Sequence, residues 1–128
     1  MKTTLLILAL VGAAMAFFRL MPVTPESGPG RPEIRDVGDY SSEGGHYAVR
    51  PSELVEFPVL IERIEATPRT RQLAEGVYLH HSLFWGFPDV THVWQEADHV
   101  HIASHLVVGR ADFGANRRRI EGWLSGLR

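Results

Sequence analysis

Histidine is the residue type in this sequence with the most chemistry to offer. Seven occur in 128 residues, and six of them fall in stretches rich in strand-forming residues: His80, His81, His92, His99, His101 and His105. Alternation along a strand predicts that His99, His101 and His105 share one face. If His80 or His81 of a neighbouring strand joins them, three imidazoles and the carboxylate of Asp89 could bind a metal ion. The simpler hypothesis, which we favour, is that these histidines are polar residues on the exposed face of a one-sided sheet.

A second candidate is the block VGRADFGANRRRIEGWL near the C-terminus, which combines two glycines with three consecutive arginines. Gly109 and Gly114 have the spacing of a phosphate-binding loop, but alanine and asparagine follow where lysine and a hydroxyl residue are needed. The arginines, residues 117–119, fan around a helix and form no single basic face. We expect one or two of them to pair with Glu121 or Asp89, and we expect no binding of nucleic acid, since the net charge is −2.

The same block predicts a helix with a capped start. One apolar stripe at helical spacing contains Ile120, Trp123, Leu124 and Leu127, and Phe113 and Asn116 extend it. Asp112 stands where an N-cap belongs, because its carboxylate can accept hydrogen bonds from the amides of the first turn. We therefore interpret Gly109, Asp112, Gly114 and Asn116 as a structural corner, in which Gly109 turns the chain and Asn116 bonds buried backbone groups.

Catalytic arrangements are only weakly indicated. Ser82 and Ser104 lie in predicted strands without the turn of a nucleophile elbow. Asp89 or Asp112 with a histidine would make an acid–base pair, which leaves an enzyme as the least favoured alternative. The sequence has no cysteine, which excludes disulfides, a thiolate zinc site and a cysteine nucleophile. We expect no cofactor.

The N-terminus predicts export. Lys2 precedes an apolar run from Leu5 to Phe18, which Arg19 ends. The run suits the core of a signal peptide, and Ala14-Met15-Ala16 offers a cleavage site after Ala16. With its flanking residues the segment could instead remain as a membrane anchor. Both alternatives place the rest of the chain outside the cytoplasm, either held at the membrane or released from it.

The pattern along the chain predicts three parts: an apolar segment over residues 1–21, a linker rich in proline and glycine over 22–45, and one folded domain over 46–128. Within the domain, a helix that begins at Ser52 or Pro58 ends before Pro68. About four short strands follow, near 70–75, 77–84, 89–96 and 99–108, and then the closing helix. We therefore expect an α+β fold, a small antiparallel sheet with two helices on one face.

Two stretches, HHSLFWGFPDVTHV and LVVGRADFGANRRRIEGWL, resemble a bacterial and plastid family of unknown function, DUF1499. The resemblance covers about residues 47–128 and three motifs: Thr67 to Thr70; Ser82 with Gly86 to Asp89; and Gly109, Arg110, Asp112, Gly114, Asn116, Arg117, Arg119 and Trp123. It implies a small exported α+β domain with a structural or binding corner at Asp112 to Arg117. This chain departs from the family pattern at His81, His105 and Val107, where relatives usually carry arginine, and at Ala111, where they carry serine. If those arginines form an anion-binding face, this member has weakened it or made it dependent on pH.

These observations lead to three hypotheses of function. The first is a non-enzymatic envelope protein, anchored in the membrane through its N-terminal segment, that acts as an interaction or small-ligand module for an envelope partner. The second is a domain that binds a metal or an anion through histidines, and the third is the Asp/His enzyme. The candidate binding residues are His81, Asp89, His101, His105, Arg110 and Arg117.

Overall fold

A six-stranded antiparallel sheet forms the centre of the computed structural model, which describes residues 1–127. Arg128, the last residue of the predicted domain, lies outside the described residues. The strands lie in the order β1-β2-β6-β5-β4-β3. Their bounds are β1 Gly38–Ser42, β2 Gly45–Pro51, β3 Thr70–Ala74, β4 Val77–His81, β5 Pro88–Glu96 and β6 His99–Leu106. The helices are α1 Lys2–Leu20, α2 Phe57–Glu65 and α3 Ala115–Leu124, with a short 3-10 helix at Ser52–Leu54.

The predicted α+β class is confirmed, but the expected count of about four strands is wrong. The four predicted strands correspond to β3–β6, and β1 and β2 are added at one edge. The sequence of β1, GDYSS, is poor in strand formers. It pairs along its whole length with β2, and Arg50 of β2 donates to the carboxylate of Asp39 at 2.9 Å. Tertiary pairing therefore overrides a weak local preference.

Helices α2 and α3 pack on one face of the sheet, as expected. Pro58 occupies the first turn of α2, and the helix ends at Glu65, before Pro68. Their apolar side chains meet the sheet in one core cluster: Ala48, Val55, Leu60, Ile64, Tyr78, Val93, Val100, Ile102, Ile120, Trp123, Leu124 and Leu127. The predicted stripe is thus confirmed on α3 for Ile120, Trp123 and Leu124, and Leu127 joins the same cluster from beyond the end of the helix.

Phe113 does not belong to that stripe. Its side chain is 87% exposed and its backbone has φ +53°, a left-handed conformation that costs a non-glycine residue energy. The helix begins only at Ala115, after Gly114 at φ +81°. The prediction for Phe113 was wrong because helical spacing was extended into the turn that precedes the helix.

The second face of the sheet is covered by residues 22–37, a segment for which the sequence predicts an extended linker. The guanidinium of Arg31 lies over the ring of Trp94, 4.4 Å from its centroid, and that of Arg35 lies over Tyr40 at 4.8 Å. Val23 packs with Leu79 in a second cluster. This cover buries His92, His101 and His105, so the expectation of an exposed histidine face is wrong for them.

Candidate functional site

Asn116 is the centre of a buried polar network between α3 and the sheet. Its Oδ1 accepts hydrogen bonds from the Ser104 hydroxyl and from Arg119, each at 2.7 Å, and its Nδ2 donates to Asp112 Oδ2 at 2.8 Å. Because a guanidinium only donates and a carboxylate only accepts, these partners fix which end of the amide is oxygen. We expected Asn116 to bond backbone groups with its side chain, but the partners are side chains.

The network continues across four strands, from β6 to β3, and all its hydrogen bonds point in one direction. Since Ser104 donates to Asn116, its oxygen accepts from the Thr91 hydroxyl at 2.7 Å. Thr91 then accepts from His80 Nε2 at 2.8 Å, and His80 Nδ1 accepts from the Thr70 hydroxyl at 2.7 Å. Burial, followed by the charge of Arg119, lowers the pKa of His80 to about 3, so the imidazole is neutral and both its nitrogens are used.

Asp112 accepts hydrogen bonds at the start of α3, as predicted, but the N-cap position itself is occupied by Gly114. Its Oδ1 accepts from the Gly114 amide at 2.9 Å, and its Oδ2 accepts from the Asn116 amide at 3.1 Å. Burial acts to raise the pKa of Asp112, but the hydrogen bonds from Gly114 and Asn116 outweigh it and the net pKa is lowered. Gly109, at φ +99°, turns the chain out of β6. The four predicted corner residues thus lie together at this turn.

Two of the three arginines pair with carboxylates, as expected. Arg119 reaches Asp89 at 3.2 Å in a largely buried pair, and Arg117 reaches Glu121 at 2.7 Å on the exposed side of α3. Burial raises the pKa of Asp89 although Arg119 opposes the rise. Asp89 Oδ1 is buried without a hydrogen-bond partner among the described residues.

The second face carries several buried ring nitrogens that have no hydrogen-bond partner within residues 1–127. They are Nε2 of His81, His92 and His105, and Nε1 of Trp94. The rings of His92 and His105 stack with centroids 5.7 Å apart. His105 Nδ1 donates to the Leu106 carbonyl at 3.1 Å, which leaves a lone pair on Nε2 when the ring is neutral. Burial lowers the pKa of both rings, that of His92 to about 4.

The structure does not bring the predicted metal ligands together. His101 accepts from the Tyr47 hydroxyl at Nδ1 and bonds the Glu96 carbonyl through Nε2. His81 lies on β4, which β5 separates from β6, and Asp89 faces α3 on the opposite side of the sheet from His105. Within residues 1–127 no group of three or more His, Cys, Asp or Glu side chains could hold a metal ion.

Arg110 also stays outside any cluster, because its side chain lies exposed in the turn after β6. Of the predicted binding residues, only Asp89 therefore joins the network around Asn116.

Several cavities adjoin the sheet, among them the following two. One of about 310 Å³ lies between residues 29–35 and the β1–β2–β6 edge, and its lining includes Tyr47 and His105. A larger cleft of about 600 Å³ lies between α2 and the sheet, with Glu65 and Tyr78 in its wall. None of the predicted site residues lines the larger cleft.

The sequence analysis considered His80, Ser104 and Arg119 in other roles, but it did not predict the hydrogen bonds that join them to Thr70, Thr91 and Asn116. Ser104 did carry a signal, because it alternates with Val100 and Ile102 on the apolar face of its strand. A hydroxyl at a core position needs a partner, and the partners of Ser104 are Thr91 and Asn116.

The fold and this corner define a class of protein, a single α+β domain with two helices on one face of an antiparallel sheet, behind an N-terminal apolar helix. Residues 45–127 match the model of a family described as a protein of unknown function, DUF1499, and the chain belongs to this family. Comparisons with curated proteins and with solved structures find no match.

Proposed function

We propose that this protein is anchored in the inner membrane by α1, with its domain in the periplasm as a non-enzymatic interaction or small-ligand module for an envelope partner. The observation that carries the proposal is the exposure of α1. The helix has 19 residues, its most apolar stretch of 18 residues has a mean hydropathy of 2.0, and no residue of the helix is fully buried against the domain. An apolar helix about 28 Å long matches the hydrocarbon thickness of a bilayer.

The position of the candidate cleavage site inside α1 supports retention of the whole helix. Ala14-Met15-Ala16 lies inside a continuous helix, whereas cleavage sites follow an apolar core. Phe18 and Arg19 contact the β4–β5 loop, through the ring of Phe87 and the carbonyls of Leu83 and Phe84. Both contacts lie beyond Ala16, so they would also persist in a cleaved form.

An interaction or ligand role suits the polar side chains better than an Asp/His acid–base pair. His80 lies beside Asp89 in the register of β4 and β5, but threonine hydroxyls bond both of its ring nitrogens. Asp112 is engaged by the amides that it caps. These groups stabilise the fold, and a proton-transfer role would require breaking their bonds.

Cysteine labelling tests the anchor and the location of the domain. Because the chain has no cysteine, a membrane-impermeant maleimide reports only an introduced one. We expect Glu75→Cys, in the exposed β3–β4 turn, to be labelled in intact cells and the protein to stay in the membrane after alkaline carbonate extraction. Lys2→Cys is the matched control and should be labelled only after lysis.

Each outcome decides between the alternatives. If the labelled protein is soluble and begins at Phe17, α1 is a cleaved signal peptide and not a membrane anchor. A Glu75→Cys protein that is labelled only after lysis would refute export.

A second candidate is ligand binding by histidines on the second face. The lone pair on His105 Nε2, beside the unpartnered Nε2 of His92, favours it. Melting of the full chain in detergent with and without Zn²⁺ tests this candidate. A rise in Tm that is lost in His105→Asn would support it, and equal Tm values would leave protein interaction as the role.

A further inference from the structure

The loop between β4 and β5 presents an apolar tip. Its sequence from Ser82 to Pro88 is SLFWGFP, without a charged residue. Leu83 is 74% exposed and Phe84 59% exposed, and Trp85 and Phe87 are each 36% exposed. Four large apolar side chains on one short loop are unusual for a surface that faces only water.

This tip is continuous with the apolar surface of α1. The rings of Phe18 and Phe87 make an edge contact with centroids 4.7 Å apart, and Gly86 leaves room for the side chain of Arg19. On α1 the partly covered positions are Val11, Ala14, Met15, Phe18 and Arg19, which recur at the spacing of one helical face. The loop therefore lies along the C-terminal turns of the helix that we propose to span the bilayer.

Several polar groups of the loop backbone are already bonded within the protein. The Ser82 amide donates to the Phe87 carbonyl at 3.0 Å, and the Phe87 amide donates to Ser82 Oγ at 2.9 Å. The guanidinium of Arg19 donates to the carbonyls of Leu83 and Phe84 at 2.8 and 3.0 Å. Backbone that enters a bilayer must have such internal partners, because lipid offers none.

Phe113 gives an independent observation at the same end of the sheet. The Asp112 amide bonds Glu43 in the β1–β2 turn, and Val107 bonds Pro88 at the start of β5. These contacts place the turn that holds Phe113 at the end of the sheet where the β4–β5 loop also lies. A phenylalanine that is exposed in a left-handed backbone costs stability, which fits a contact outside the domain.

From this juxtaposition we propose that Leu83–Phe87 inserts into the interfacial region of the same bilayer that α1 crosses and docks the domain against the lipid surface. The inference rests on the proposed anchor for the identity of the bilayer. Aromatic side chains favour the level where an apolar span meets the headgroups, and the loop meets α1 at that level. Both α1 and the loop would then hold the domain at the bilayer, and the domain would have a fixed orientation relative to the membrane.

Depth-dependent quenching in vesicles tests the docking. Full-length variants with one cysteine carry an environment-sensitive fluorophore and are reconstituted in vesicles of phosphatidylethanolamine and phosphatidylglycerol, with and without brominated lipid. Leu83→Cys probes the loop and Glu75→Cys, at the opposite end of β4, is its matched control. Leu10→Cys, midway along α1, probes the span, and Phe84→Cys gives a second position in the loop.

We expect quenching at Leu83 and Phe84 to be several-fold stronger than at Glu75, with strong quenching at Leu10. Equal, weak quenching at Leu83, Phe84 and Glu75 would overturn the docking, while quenching at Leu10 would still support the anchor. Quenching at the loop without quenching at Leu10 would support docking and refute the span. Circular dichroism of each labelled variant checks that the domain is folded.

Discussion

As the pH falls, the free energy of unfolding of the domain should decrease more steeply than the carboxylates alone would cause, because His80 is buried in its neutral form. Its pKa is about 3 in the folded protein, against 6.5 for an ordinary histidine. The unfolded chain therefore takes up the proton first as the pH falls below 6.5, and this uptake favours unfolding. The contribution of His80 is complete above pH 6.5 and declines down to pH about 3.

The size of the effect follows from the two pKa values. Each pH unit between the two pKa values of His80 lowers the free energy of unfolding by roughly 1.4 kcal/mol. The change from about pH 7.5 to about pH 4.5 therefore removes roughly 2–3 kcal/mol of stability through His80 alone. His92, with a pKa of about 4, adds to the decline with the same sign. The pKa of Asp112 is lowered from 3.8, so loss of its contribution begins only below this window.

Urea unfolding of the full chain in a nonionic detergent, followed by tryptophan fluorescence at both pH values, measures the decline. His80→Gln keeps a donor and an acceptor toward Thr91 and Thr70 but does not titrate. Between the two pH values we expect the free energy of unfolding to decrease by roughly 2–3 kcal/mol less in the variant than in the parent. The difference between the two proteins at the higher pH measures any effect of altered packing. Asp89 titrates in both proteins and cancels in the comparison. Equal losses in parent and variant would refute the assignment of a buried, neutral His80.

Three further predictions concern α3 and its start. Arg119→Met leaves the buried carboxylate of Asp89 unpaired and should cost about 3 kcal/mol, whereas Arg117→Met on the exposed side should cost less than about 1 kcal/mol. Equal costs in urea unfolding would contradict the burial assigned to the Asp89 pair. Asn116→Leu leaves its buried partners unbonded and should cost about 1–3 kcal/mol, and an unchanged Tm would count against its structural role. Phe113→Gly replaces a phenylalanine whose backbone is in the left-handed region and should stabilise the domain by up to about 1 kcal/mol. A lower Tm would show instead that the exposed ring makes contacts that stabilise the domain.

The parts of the fold that the sequence predicted are those with strong local signals. Alternation defined β4 to β6, and the stripe that contains Ile120, Trp123 and Leu124 defined the buried face of α3. The polar strand β3 was indicated only weakly by its sequence. Strand β1 was missed because GDYSS has little strand preference and is held by its pairing with β2. The packing of residues 22–37 over the second face of the sheet was not predicted, because Arg31 and Arg35 stack on aromatic rings and periodicity does not reveal such contacts.

The candidate metal ligands do not come together, and the predicted order of antiparallel hairpins already explains why. Successive hairpins place β5 between β4 and β6, so His81 cannot be a direct neighbour of His101 or His105. Strands two positions apart are separated by about 10 Å, which is too far for one ion. The four corner residues lie together because an aspartate that bonds the first amides of a helix and a turn glycine act on residues close in sequence, whereas the hydrogen bonds of Ser104 and His80 depend on strand register.

The two faces of the sheet satisfy their polar groups very differently. Beneath α3, hydroxyl, amide and imidazole groups from Thr70 to Asn116 bond one another in a single direction. Under residues 22–37, His92 and His105 keep ring nitrogens that are buried and have no partner among the described residues, and each such group costs about 1–3 kcal/mol. A ligand or partner that supplied these bonds would recover that energy. Gly28 packs closely against the ring of His105, and because residues 22–37 follow directly on α1, an anchored α1 would also position the segment that covers these histidines.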